Sequence, residues 1–143
     1  MGDVICLLPG TPTALYSRHN RLLSDTKVHS MIQEHLEEAR LIQALNDSFR
    51  STLVDGKVML TSGVMIMGEG AVNDILALVR SYDDFTPDND PYGEHDFGKV
   101  LYEGETLFWK IDYYDADLKY GSNNPADPSQ TIRVLTMMLA EEY

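Results

Sequence analysis

The stretch GKVLYEGETLFWKIDYYD, residues 98–115, constrains the fold more than any other. Two runs rich in apolar residues flank Glu103-Gly104, a dipeptide suited to a tight reversal, and the pattern predicts a β-hairpin with strands over 99–102 and 106–114. In the second strand the period of two puts Leu107, Trp109, Ile111 and Tyr113 on one face and Phe108, Lys110, Asp112 and Tyr114 on the other. The first face is the expected core side; the second is mixed and partly exposed.

Apolar positions at steps of one, three and four (Val28, Met31, Ile32, Leu36, Ala39, Ile42, Leu45, Phe49, Leu53) predict one long helix beginning at Ser24 or Ser30. It carries Glu34, Glu37, Glu38, Arg40 and Asp47 on the opposite face and stops at Asp55-Gly56. Lys57–Met67 suits a strand kinked at Gly63, in which Met59, Met65 and Met67 are expected to fill the core rather than form an adaptable surface. EGAVNDILALVRSY follows, with Val72, Ile75, Leu76 and Val79 on one helical face. After a loop at 115–128, Asp127 stands at an N-cap position, Pro128 at the first helical position and Gln130 at the third, which predicts a closing helix with Ile132, Leu135 and Leu139 as its stripe. The order α-β-α-β-β-α is that of an α+β fold, a small, mainly antiparallel sheet packed with about three helices. Residues 1–23 read as an irregular N-terminal arm, and 24–143 as a single domain, the usual size for a chain of 143 residues.

Charge narrows the functional classes. The formal net charge is −12, and residues 82–143 hold fourteen of the 23 acids but four of the 11 Lys and Arg. Such a field repels phosphate backbones and attracts basic surfaces, so a basic protein partner is expected and direct nucleic-acid binding is not. Cys6 is the only cysteine, which leaves no intramolecular disulfide and no cysteine zinc site; a reducing, cytoplasmic setting fits. No run approaches the roughly 20 apolar residues of a membrane span, and the apolar run near the N-terminus is too short for a signal-peptide core.

DDFTPDNDPYGEHDFG, residues 83–98, concentrates the acidity: six carboxylates and a histidine without lysine or arginine. Proline and glycine break it too often for helix or strand, so it is a loop. A calcium loop of the EF-hand type needs oxygen ligands at positions 1, 3, 5 and 12 and glycine at 6. Counted from Asp88, position 12 is Lys99; counted from Asp84, position 6 is Asn89 and position 12 is His95, so both registers fail. His95 beside Asp96, with Asp112 at the end of the hairpin, has the composition of an acid/base pair. Against it, the chain has no nucleophile elbow, zinc-protease helix motif or phosphate-binding glycine loop. The competing reading has His95 and Asp96 tying the loop to the strand, and Asp88 and Asn89 making Asx-turns. Aromatic residues crowd the same third of the chain, as they do in protein-binding surfaces.

The segments LNDSFR, DGKVMLTSGV, DDFTPDNDPYGEHDFG, FWKIDYYD and NPADPSQTIRVLTMMLAEEY, in that order over about residues 37–143, resemble a bacterial family, domain of unknown function 3768. The resemblance implies a setting rather than a reaction: the family is common in alphaproteobacteria, often borne on plasmids and prophages, and carries no assigned catalytic residues to transfer. Mobile elements carry small acidic proteins that block host defence, some as mimics of DNA.

The leading expectation is an acidic protein-binding module that docks on a basic host surface which normally binds nucleic acid, as an anti-CRISPR or anti-restriction inhibitor would. Its contact set is Asp83, Asp84, Asp88, Asp90, Glu94 and Asp96 for charge, with Tyr92, Tyr113 and Tyr114 as anchors. The alternative is a small metal-dependent or acid/base hydrolase centred on His95, Asp96 and Asp112. A homodimer or larger structural oligomer is a third reading. No cofactor and no metal ligand set is assigned.

Overall fold

The computed structural model describes the backbone from Pro12 to Tyr143 and side chains from Ser24 onward. Two compact units divide the chain, Met1–Glu37 and Glu38–Tyr143. The elements are α1 (Pro12–Thr52), β1 (Gly56–Leu60), α2 (Ser62–Ile66), α3 (Glu69–Arg80), β2 (Phe97–Tyr102), β3 (Glu105–Tyr114), β4 (Ile132–Leu139) and a 3₁₀ turn, Ala140–Glu142. The fold is α+β, with three helices and one four-stranded sheet in the order β1-β4-β3-β2 among the described residues.

The hairpin forms as its alternation implies. β2 and β3 pair antiparallel from Phe97↔Lys110 to Tyr102↔Glu105, and both turn residues, Glu103 (φ 48°) and Gly104 (φ 83°), are left-handed, the geometry that matches the twist of adjoining strands. β4 lies in the middle, antiparallel to β3 and parallel to β1, so the sheet is mixed rather than purely antiparallel. Leu107, Trp109, Ile111, Leu135 and Met137 line one face and pack on Phe49 of α1, Val64 of α2, and Ile75 and Val79 of α3. Burying each of the larger of these side chains contributes roughly 1.5–3 kcal/mol of transfer free energy. The opposite face carries Phe97 and Phe108, whose rings meet that of Tyr143 at 5.8 and 5.6 Å.

Three local expectations are corrected. The segment after Asp127 is a strand, not a helix. Asp127 does accept bonds from Ser129 N (2.9 Å), Ser129 Oγ (2.6 Å) and Gln130 Nε2 (2.7 Å), but they close a turn, and the chain then enters the centre of the sheet. A central strand is apolar on both faces, so its run of buried residues carries no alternation to tell it from a helix. Lys57–Met67 is not one kinked strand: β1 ends at Leu60 and α2 begins after Thr61. There the Glu142 carboxylate accepts bonds from Gly63 N (2.8 Å), Leu139 N (2.9 Å) and the Thr61 hydroxyl, which turns the backbone out of the ladder. Met59 and Met65 are exposed rather than core.

The long helix forms, and it begins at Pro12, so residues 12–23 are helical rather than irregular; the rest of the expected arm, 1–11, lies outside the described residues. Its apolar stripe is buried only in part: Ile42 and Phe49 are buried, whereas Val28, Met31, Ile32 and Leu36 are exposed. Among the described residues no helix is long and apolar enough to cross a membrane.

Gly98 lies opposite Trp109, and a Cβ there would stand 2.4 Å from the indole Nε1. Trp109 is fully buried and its ring cannot withdraw without disturbing the core. Gly98→Ala is therefore expected to cost about 2 kcal/mol in chemical denaturation; a variant as stable as the parent would contradict this packing.

Candidate functional site

Gln43, Asn46, Asp47 and Arg50 stand at spacings of three and four on α1, and so share one helical face. That face is polar, and the acidic loop folds over it. Asn46, with no exposed surface, donates through Nδ2 to the Glu94 carbonyl (2.9 Å) and the Tyr113 hydroxyl (2.7 Å), and its Oδ1 accepts from Arg133 Nε (2.7 Å). Tyr113 in turn donates to Glu94 Oε2 at 2.8 Å. Burial first, and then the Glu94 carboxylate, push the Tyr113 phenol far above its ordinary pKa, so it is a fixed donor.

His95 is bound on three sides. Its Nδ1–H donates to the Asp47 carboxylate (2.9 and 3.0 Å), its Nε2 accepts from the Gln43 amide (2.8 Å), and its ring stacks on Phe85 at 3.6 Å and 4°. The backbone of His95 is left-handed, φ 55°, a conformation that costs a residue other than glycine roughly 1–2 kcal/mol. Asp90, its side chain 6% exposed, holds that turn by accepting the backbone N–H groups of Glu94 (3.1 Å) and His95 (3.2 Å) on Oδ1. Arg50, also buried, donates to Asp47 (2.8 Å) and to the Val79 (2.9 Å) and Arg80 (3.2 Å) carbonyls, with its guanidinium over the rings of Phe85 and Trp109. Further along the loop Asn89 accepts from Thr86 N and donates to the Asp84 carbonyl.

The residues singled out in the sequence therefore separate. Asp83, Asp84, Asp88 and Tyr92 face solvent. Asp90, Glu94 and Tyr113 are committed to the interior bonds just described. Tyr114 is half-buried on the sheet face opposite Tyr113, since neighbouring strand residues point apart. His95 has a carboxylate partner, but it is Asp47; none of its hydrogen bonds goes to Asp96 or Asp112. Asp112 is paired with Lys110 at 2.9 Å instead, and the Asp96 carbonyl accepts from Ile111 N. Among the described residues no group of three His, Cys, Asp or Glu side chains converges as a metal site.

Gln43, Asn46, Arg50 and Arg133 escaped the sequence reading because it followed the apolar positions of their elements, and Asp47 was placed on the polar face of the long helix without a role in the site. A signal was present: a polar i, i+3, i+4, i+7 set inside the segment LNDSFR and just before it.

A family model described as "Protein of unknown function (DUF3768)" matches residues 60–142, more than half of the chain. No curated protein matches the chain, and no solved structure does. The matched part holds the loop, β2, β3 and β4; the polar face of α1 lies before it.

Burial first, and then the neighbouring Glu94, Asp90 and Asp112 carboxylates, raise the pKa of Asp96 above its usual 3.8. The folded state thus holds this proton more tightly than the unfolded chain, and the stability it contributes, complete below the ordinary carboxylate range, is lost as pH rises through the folded value. Asp96→Asn should accordingly unfold at higher temperature than the parent near neutral pH, with the gain shrinking toward about pH 4. A gain that is constant across that range would contradict the assignment.

Proposed function

This chain belongs to that family, and on that premise we propose that it is an acidic protein-binding module whose 83–98 loop docks on a basic surface of a host protein that normally binds nucleic acid. One observation carries the reading: Asp83, Asp84, Asp88 and Tyr92 remain exposed on a loop whose backbone is held at Asn89, Asp90 and Asn46. An irregular segment usually loses conformational freedom on binding, and that loss weakens the complex. A loop already ordered by its own side chains avoids most of it. Charge adds steering toward a basic partner, and the exposed Tyr92 ring supplies rigid contact area inside an acidic rim.

The same bonds count against the hydrolase alternative. A general base must present a free nitrogen to the proton it removes; both ring nitrogens of His95 are occupied, by Asp47 and Gln43, and one ring face is covered by Phe85. The mobile-element setting suggested by the resemblance makes anti-restriction or anti-CRISPR inhibition the biological form this module would take, in the cytoplasm.

The test is capture from a nuclease-treated host lysate by the tagged protein and by a variant carrying Asp83→Lys, Asp84→Lys and Asp88→Lys. These side chains face solvent, so the variant should keep its thermal midpoint, while a basic partner retained by the parent is lost and also elutes early with salt. Equal retention of the same partner by both proteins would sink the proposal.

A further inference from the structure

Arg133 and Arg50 are both buried, but among the described residues only Arg50 has a counter-ion. Arg50 meets Asp47. Arg133, 3% exposed, has its Nε on the neutral Asn46 amide, its Nη2 on the Pro125 carbonyl (2.7 Å) and its guanidinium over the Tyr113 ring. No carboxylate stands within ion-pair distance of it among the described residues, and Glu94 acts on it only at longer range. A buried charge is ordinarily paired, because removing it from water is costly. Its Nη1 makes no hydrogen bond among the described residues, and it is not one of the fully buried orphan nitrogens, which are Arg50 Nε and Trp109 Nε1. That nitrogen therefore keeps some accessible surface.

Arg133 lines a cleft of about 410 Å³ between the C-terminal part of α1, the turn at Val54-Asp55 and the Pro128–Thr131 segment. Leu45, Phe49, Val54 and Pro128 supply apolar wall, and Ser48 and Ser129 lie at exposed positions on its rim. Asp55 also lines it. A cleft of this size suits a small ligand, and its one buried cation opposes one negative charge; the Asp55 carboxylate disfavours a second. We propose that this cleft binds a small monocarboxylate with an apolar body, its carboxylate paired with Arg133 and its hydrocarbon lying on Leu45, Phe49 and Val54. Arg133 Nη1, the guanidinium nitrogen without a hydrogen bond among the described residues, would donate to the carboxylate in a charge-assisted bond. The site is separate from the acidic loop's exposed residues and does not depend on the docking role.

The experiment is a titration of the full-length protein with 4-methylpentanoate, its neutral amide and inorganic phosphate, followed by calorimetry and by the Arg133 Nε–H resonance in nitrogen-proton spectra. The carboxylate should bind saturably at or below about 1 mM and move that resonance, with the amide at least about tenfold weaker and phosphate ineffective. Ser48→Trp, at an exposed rim position, should block the cleft and remove binding with little change in thermal midpoint. Absence of saturable binding by the carboxylate, an amide that binds equally well, or phosphate binding more tightly would each overturn the assignment. So would 4-methylpentanoate affinity left intact by Ser48→Trp. Because the resonance is read in the unaltered protein, the result does not rest on the variant's folding.

Discussion

Asn46 has no exposed surface and three partners from distant parts of the chain: the Glu94 carbonyl in the acidic loop, the Tyr113 hydroxyl on β3 and the Arg133 guanidinium on β4. A primary amide is the side chain that can donate twice while accepting from a guanidinium. Without Asn46, Arg133 Nε and the Glu94 carbonyl would each lose a partner in or near the interior, at a cost of roughly 1–3 kcal/mol for a neutral group and more for a charged one. The helix, the loop and the sheet are thus bound to a single buried amide. One turn along α1, Arg50 repeats the device toward the end of α3 through the Val79 and Arg80 carbonyls.

This arrangement divides the acidic residues by role. Asp47 neutralises Arg50 and orients His95, and Asp90 holds two backbone N–H groups at a left-handed residue. Their charges serve the fold. Asp83, Asp84 and Asp88 face water, and it is these that remain for an external partner. The histidine that invites a catalytic reading belongs to the first group, because its nitrogens and one ring face are engaged by Asp47, Gln43 and Phe85.

Much of the fold was legible in the residues. Two apolar-rich runs around Glu103-Gly104 marked the hairpin, the period of two in its second strand marked the core face, and the Val72, Ile75, Leu76, Val79 spacing marked α3. The sequence was silent where two structures share one pattern. A central strand buried on both sides reads like a helix, and the Asp127-Pro128 start made that confusion worse because a turn uses the same bonds as an N-cap. The stripe from Val28 to Leu36 has the spacing of a buried helix face, yet periodicity records only that apolar residues align, not that anything covers them. In the loop no period exists at all, so nothing local separates an inward Asp90 from an outward Asp88; that distinction was made by Glu94 and His95 amides folding back on one carboxylate. The polar face of α1 was readable in principle, since Gln43, Asn46, Asp47 and Arg50 keep helical spacing.

The acidic loop is a fixed part of the body, held from Asn46 and Asp90, rather than a solvated excursion. Amide hydrogen exchange on the intact protein tests this residue by residue. The Glu94 and His95 amides should exchange far more slowly than the exposed Asp88 and Tyr92 amides of the same loop, and Asn46→Ala should bring them to the faster rate. Fast exchange at Glu94 and His95 in the parent protein would contradict it.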